Sequence, residues 1–125
     1  MSVVDMKTLE TRAREDFEFT RETRYLDGAV KIGMPDGDYV LQFANGKLQG
    51  IELGSVADAD CKIVVRGTED HWKNLLADKP KPFFQCLQST AVKHGMFISD
   101  SNETFAYLPA LNRMMVLMRL IANKG

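Results

Sequence analysis

The chain is poor in the residues that carry most catalytic and metal chemistry, with two cysteines, two histidines and one tryptophan among 125 residues. No C-x-x-C pair and no histidine-rich cluster occurs, which excludes a zinc site of the usual spacing and leaves no cofactor to expect. Cys61 and Cys86 both lie in apolar surroundings and read as small buried hydrophobes. An excess of charge of either sign is also missing, since sixteen Lys+Arg face seventeen Asp+Glu. No global field then recruits nucleic acid or an anionic membrane. No apolar stretch is long enough to span a bilayer, and the first residues lack the basic start and apolar run of a secretion signal. A cytoplasmic protein with no integral membrane segment is expected. A Gly-x-Ser-x-Gly elbow and a phosphate-binding glycine loop are absent too. No carboxylate is spaced to orient His71 or His94 as a base, and Asp58 and Asp60 sit in a loop before a strand. The chain is therefore expected not to be an enzyme.

What is present is a rhythm. Asp27-Gly28, Asp36-Gly37 and Asn45-Gly46 recur on a nine-residue beat, with Gly54-Ser55 on the next count. Asx-Gly pairs accept the positive φ angles of tight hairpins, so each marks a reversal. Between them the side chains alternate. Val30, Ile32 and Met34 share one face, as do Tyr39, Leu41 and Phe43, then Ile51 and Leu53, then Cys61, Ile63 and Val65. The other face carries Lys31, Gln42, Glu52, Lys62 and Arg66. This period of two predicts an antiparallel meander over about 29–34, 38–44, 47–53 and 61–67, one side wet and one buried.

Helical spacing flanks the meander. Met6, Leu9, Ala13 and Phe17 predict one charged amphipathic helix over about 6–24. After Gly67, Thr68 is an N-cap candidate, Glu69 and Asp70 suit a first turn, and Trp72, Leu75 and Leu76 form an apolar face. Lys79-Pro80-Lys81-Pro82 ends that helix, and Pro82 can open another with Phe83, Phe84, Leu87 and Ala91 facing inward. A fifth strand fits 95–99, and Asp100-Ser101-Asn102 breaks the chain before a last helix. That helix is unusually apolar: ten of the fourteen residues from Pro109 to Ala122 are hydrophobic. Its apolar arc spans ~160°, whereas covering one core needs only about 100°. A subunit partner, a ligand cavity or a deeper core must cover the surplus.

The order of these elements resembles that of the sterol carrier protein (type two) domain. The residues that carry the likeness are Ala59-Asp60-Cys61-Lys62-Ile63-Val64-Val65, the capped helix Thr68 to Leu76, the Lys79-Pro80 hinge, the Phe83-Phe84 helix, one more strand and an apolar last helix. The likeness runs from about Asp27 to Leu120. Asp78-Lys79 stands where that family usually has Gly-Lys, and Thr90 to Met96 replaces its Gly-Lys-Leu-type approach to the last strand. The resemblance implies an α+β fold: a five-stranded, mainly antiparallel sheet with helices over one face and an apolar tunnel between the layers. Such tunnels take fatty acyl chains, sterols or similar lipids. One domain over 1–125 follows, with 1–24 as an added helix and 25–125 as the core.

The leading functional expectation is non-catalytic binding or transfer of a hydrophobic small molecule. Trp72, Leu75, Leu76, Phe83, Phe84 and Leu87 would face Met96, Leu111, Met114, Met115 and Met118 across the ligand, since unbranched thioethers repack around guests of different shape. An unfilled tunnel of ~400 Å³ would cost roughly 10 kcal/mol, comparable to the stability of a whole domain. Either the cavity collapses around the methionines or a greasy guest occupies it. The alternative is a protein–protein interaction module with a collapsed core and no ligand, dimerising through the C-terminal helix. A third reading is an isomerase or hydrolase using His71 or His94.

Overall fold

Asn45 and Gly46 both adopt left-handed backbone angles, φ 52° and 80°, as a two-residue hairpin of the favoured twist requires. That turn joins two of three strands formed from the alternating segments: β1 (Gly28–Met34), β2 (Gly37–Ala44) and β3 (Lys47–Leu53). The computed structural model describes residues 4–54, 56–99 and 101–123. Ser55 of the fourth expected turn and Asp100 of the expected break lie outside the described residues.

The meander ends at β3. β4 (Ile63–Arg66) does not continue it but pairs parallel with β1, and the sheet order is β3-β2-β1-β4-β5, with the two-residue β5 (Phe97–Ile98) antiparallel to β4. The sheet is thus mixed, with antiparallel pairs predominating. Reaching the far side of β1 from the β3 edge takes the chain across the sheet, over the face that alternation marks as wet. A short 3-10 turn at Asp58–Asp60 lies on this path. Lys31 is consequently buried at 5% exposure, its Nζ 2.8 Å from Asp58 Oδ1, and Ala29, Val40 and Val64 are buried beside it. The hydrogen bond to Asp58 raises the Lys31 pKa and keeps the ammonium charged there. Cys61, assigned to the inner face, precedes the strand and is half-buried.

The helices cover the opposite face. The N-terminal segment is two helices, α1 (Met6–Glu15) and α2 (Phe17–Glu22), because Asp16 is extended and caps α2 by accepting from Phe19 N at 2.8 Å. The break resets the helical phase. Met6, Leu9 and Ala13 are buried as expected, but Phe17 is 77% exposed and Phe19 takes the inward place at 3%. The charges of α1 seal the edge of the sheet. Glu10 Oε1 accepts from Ile51 N at 2.8 Å, while Arg14 donates to the carbonyls of Leu48 and Gln49 at 3.0 and 2.6 Å. An edge strand left bare would be open to pairing with another chain.

Downstream, Thr68 caps α3 (Glu69–Leu75) as expected, with His71 completing the capping box. The expected Pro82 helix begins late, at α4 (Leu87–His94), because Phe83 is left-handed at φ 70°. Phe83 therefore points outward at 48% exposure instead of inward. α5 (Asn102–Ala106) and α6 (Leu108–Ala122) complete the chain. Among the described residues the surplus apolar surface of α6 is covered by the chain itself: α1 and α2 pack on it from one flank and α4 from another. Ala110, Leu111, Met114, Met115, Leu117 and Met118 are all buried, and Leu120 remains 55% exposed.

One carboxylate fastens this layer. Arg113 of α6 donates to both oxygens of Asp16, Nε to Oδ2 at 3.0 Å and NH2 to Oδ1 at 2.8 Å. Asp16 thus caps α2 and clamps it to α6 with one side chain that is only 14% exposed. We predict that Asp16→Ala lowers unfolding stability by about 2–3 kcal/mol, about 1 from the cap and the rest from the charge-assisted bonds. Arg113 holds the Asp16 carboxyl below the usual carboxylate range, with the Phe19 N–H assisting. The folded pKa is depressed, so this stability is complete above the unfolded value of ~4 and is lost as pH falls through the lower folded value. Urea titrations of wild type and Asp16→Ala should therefore differ at neutral pH, begin to converge as pH falls below about 4, and coincide only beneath the depressed folded value. A gap independent of pH would assign the effect to packing.

Candidate functional site

Each wall of the concavity beside the β2–β3 hairpin has a distinct origin. α1 ends at Asp16, α2 leaves at a new angle, and the β2–β3 hairpin reaches up beside both. The hairpin is sewn to the chain between α2 and β1: Gly46 N donates to Leu26 O at 2.8 Å, Thr23 Oγ1 to Gly46 O at 3.2 Å, and Asn45 N to Asp27 Oδ1 at 3.2 Å. Gly46 is obligatory here, because a Cβ would collide with the Arg24 carbonyl. The result is a cleft of about 530 Å³ between the helix pair and the hairpin. Ala13, Phe19 and Leu48 give it apolar surface, while Arg14, Arg24, Lys47, Thr20 and Asn45 supply its polar and cationic groups. The Arg14 guanidinium is engaged by the β3 carbonyls and Glu10, and that of Arg24 donates to Arg21 O and lies 4.8 Å from the Tyr25 ring centroid. This volume is within the range of small-molecule pockets.

A second space lies deeper, between the sheet and α6. Val30, Leu41, Phe43 and Ile63 line it from the sheet, Ala110, Leu111 and Met114 from α6, with Tyr107 beside them. Its volume is only about 10 Å³. Burial raises the pKa of the Tyr107 phenol, with Glu103 adding to it. Phe19 and Thr23 line both spaces and so form the partition between them. A third, shallow groove of about 640 Å³ runs along the outer side of α1, and apart from Leu117 its lining is polar or charged.

Of the eleven side chains singled out from sequence, Leu111 and Met114 line the interlayer space. Trp72, Leu75, Leu76, Phe84, Leu87, Met96, Met115 and Met118 are gathered in the packed interior, and Phe83 stands outside it. Several have evident structural tasks. Trp72 Nε1 donates to Gly33 O at 2.9 Å, tying α3 to β1. The carbonyls of Leu75 and Leu76 accept from Arg119 and Asn123, which fixes the end of α3 to the end of α6. Burial lowers the Arg119 pKa, and this guanidinium donates to the backbone carbonyls of Leu75 and Phe84. Phe84 stacks on His94 at 3.9 Å.

The cleft residues were hidden from periodicity because two of its walls come from a helix break and a turn. The Asp16 that precedes Phe19 by three is the one local signal, since that spacing suits an N-cap. His71 Nδ1 accepts from Thr68 N and its Nε2 donates to His94 O at 2.6 Å, so the imidazole is committed to a helix start. Burial raises the Cys61 thiol pKa and lowers its reactivity. Among the described residues no group of three or more His, Cys, Asp or Glu is placed to hold a metal ion, and no helix is long and apolar enough to cross a membrane.

Trp72 separates a structural from a ligand role. Trp72→Phe removes one of two donors to the Gly33 carbonyl, which keeps Gly67 N at 3.1 Å, and should cost about 1 kcal/mol. Binding of a dansyl-labelled alkyl chain, followed by dansyl emission, should stay within twofold of wild type. A tenfold loss would place this side chain at the ligand.

No family model matches the chain, and no curated protein matches it in sequence. Solved structures do match. The crystal structure of sterol carrier protein 2 aligns with TM-score 0.70 at 12% identity, covering 93% of this chain and 94% of that one. A solution structure from Thermus thermophilus, of a conserved hypothetical protein suggested to be a sterol carrier protein, gives 0.64 at 14% identity over 93% and 85%. The ubiquinone synthesis protein UbiJ-SCP2 gives 0.57 at 11% identity over 90% and 88%. With near-complete coverage of both chains in each pair, the chain has the fold of sterol carrier protein 2.

Proposed function

We propose that this chain is a single, non-catalytic carrier domain that binds or transfers a hydrophobic small molecule. The observation that carries the reading is the cleft of about 530 Å³ with its apolar wall of Ala13, Phe19 and Leu48, backed directly by the space between sheet and α6. The ligand lodges with its polar end among Thr20, Asn45 and Lys47 and its apolar end toward Leu111 and Met114. The fold supports this reading, since structures that share it include a sterol carrier and a ubiquinone synthesis protein. Acyl chains, sterols and isoprenoid quinone precursors are the candidate classes.

The interlayer volume of about 10 Å³ favours a second reading, an interaction domain whose core is closed and holds no ligand. One experiment divides the two. Organic extraction of purified protein followed by mass spectrometry should release a hydrophobic compound in near-stoichiometric amount, and delipidated protein should then bind a dansyl-labelled fatty acid. Thr20→Trp, which fills the cleft from an exposed position on α2, should weaken that binding at least tenfold with little change in thermal stability. No extractable compound together with no probe binding by the delipidated protein would leave only the closed-core reading.

A further inference from the structure

We propose that Phe19 is the specificity-determining plug of the site, admitting a flexible single chain to the interior and excluding a rigid multi-ring ligand. The proposal rests on the carrier reading above and concerns how far a ligand penetrates. Phe19 and Thr23 are the two side chains common to the open cleft and the interlayer space. They differ in freedom. Thr23 is fixed by its hydroxyl bond to the Gly46 carbonyl, whereas the Phe19 ring makes only an apolar contact, a tilted packing against Phe43 with centroids 6.2 Å apart. At 3% exposure that ring fills the passage, and behind it the space measures about 10 Å³ against about 530 Å³ in front.

Opening the passage needs little movement. Phe19 stands on a helix of six residues, held at one end by the Asp16–Arg113 pair and at the other by the Thr23–Gly46 bond. Its ring can swing toward the cleft, and Met114 on the far side can repack because an unbranched thioether has several accessible shapes. A chain one methylene wide passes the Phe19 ring with these two side-chain changes, and room for its length comes from further repacking along α6. A fused ring system is rigid and wider than the gap that a swung Phe19 ring leaves, so the ring itself bars it from the passage.

The test uses delipidated full-length protein carrying ¹³C-methyl methionine, with fatty acids of increasing chain length and cholesterol as the ring probe. In wild type, long acyl chains should shift the Met114 methyl signal and short ones should not, while cholesterol binds at least tenfold more weakly than the long chains. Phe19→Ala should erase most of that discrimination by admitting cholesterol. Phe19→Trp should pull long-chain affinity down to the short-chain level and silence the Met114 response. Phe19→Leu, a smaller change in the core, provides the same comparison should the alanine variant not fold, with an intermediate gain for cholesterol. If acyl chains bind but discrimination stays within twofold across these variants, the plug is overturned while the carrier reading stands. If no chain of any length binds wild type, the carrier reading itself falls.

Discussion

An α-helix covers its own backbone polar groups but not its side chains, and α6 carries more apolar surface than one sheet face can shield. Everything on the helical side answers that constraint. The sheet takes the stripe of Leu111 and Met114, and α1 and α2 take another flank. These helices lie at the other end of the sequence, so their docking closes a long loop and needs a specific fastening. Asp16 and Arg113, 97 residues apart, supply it with two charge-assisted bonds. Because the same carboxylate caps α2, the break between α1 and α2 and the seating of both on α6 are one event. The cleft is the geometric remainder: two short helices meeting at an angle cannot follow the flat hairpin beside them, and the space between stays open.

The strands from Gly28 to Leu53 were legible because a half-buried antiparallel segment writes its exposure pattern directly into residue order. The capped start of α3 was legible for a similar reason, Thr68 acting within its own turn. What failed depended on partners distant in sequence. Nothing in Ile63–Arg66 distinguishes a fourth meander strand from one that crosses over to pair with β1, since the inward residues are the same in both. Lys31 read as solvent-facing because alternation reports which face a residue is on, not whether a crossing loop lies over that face. Phe17 is the local exception: periodicity alone runs a single helix through Asp16, whose cap on Phe19 N resets the phase and turns Phe19 inward.

The candidate site residues pose a different problem from the fold. A list drawn from apolar side chains in the last helices finds the centre of the core, and here it found Trp72, Leu75 and Met118 in tight packing. A cleft has the opposite character: it is where packing stops. Ala13, Thr20 and Gln49 are ordinary in sequence and become a wall only through the meeting of α1, α2 and the hairpin. Of the sequence-derived set, Leu111 and Met114 come nearest, because they lie where α6 passes behind that meeting point.

An interior of this kind also bears on how capacity for a guest can be stored. A permanent void of ~400 Å³ would cost roughly 10 kcal/mol, enough to unfold most domains of this size. A gap of about 10 Å³ costs only ~0.2 kcal/mol on the same scale. The chain therefore keeps its interior nearly closed and places the open volume at the surface, where it is open to solvent and not an empty cavity. Space for a deeper guest must come from rearrangement, and the composition around the gap suits that. Met114 and Met115 lie in α6 with Met118 one turn on. Thioether chains exchange rotamers at low cost, while the β-branched Val30 and Ile63 opposite are stiff at χ1 and hold the sheet wall fixed. One wall yields and the other does not. Any opening of this interior falls to α6 and α2, the elements that the Asp16–Arg113 pair holds together, so the fastening that completes the fold also limits it.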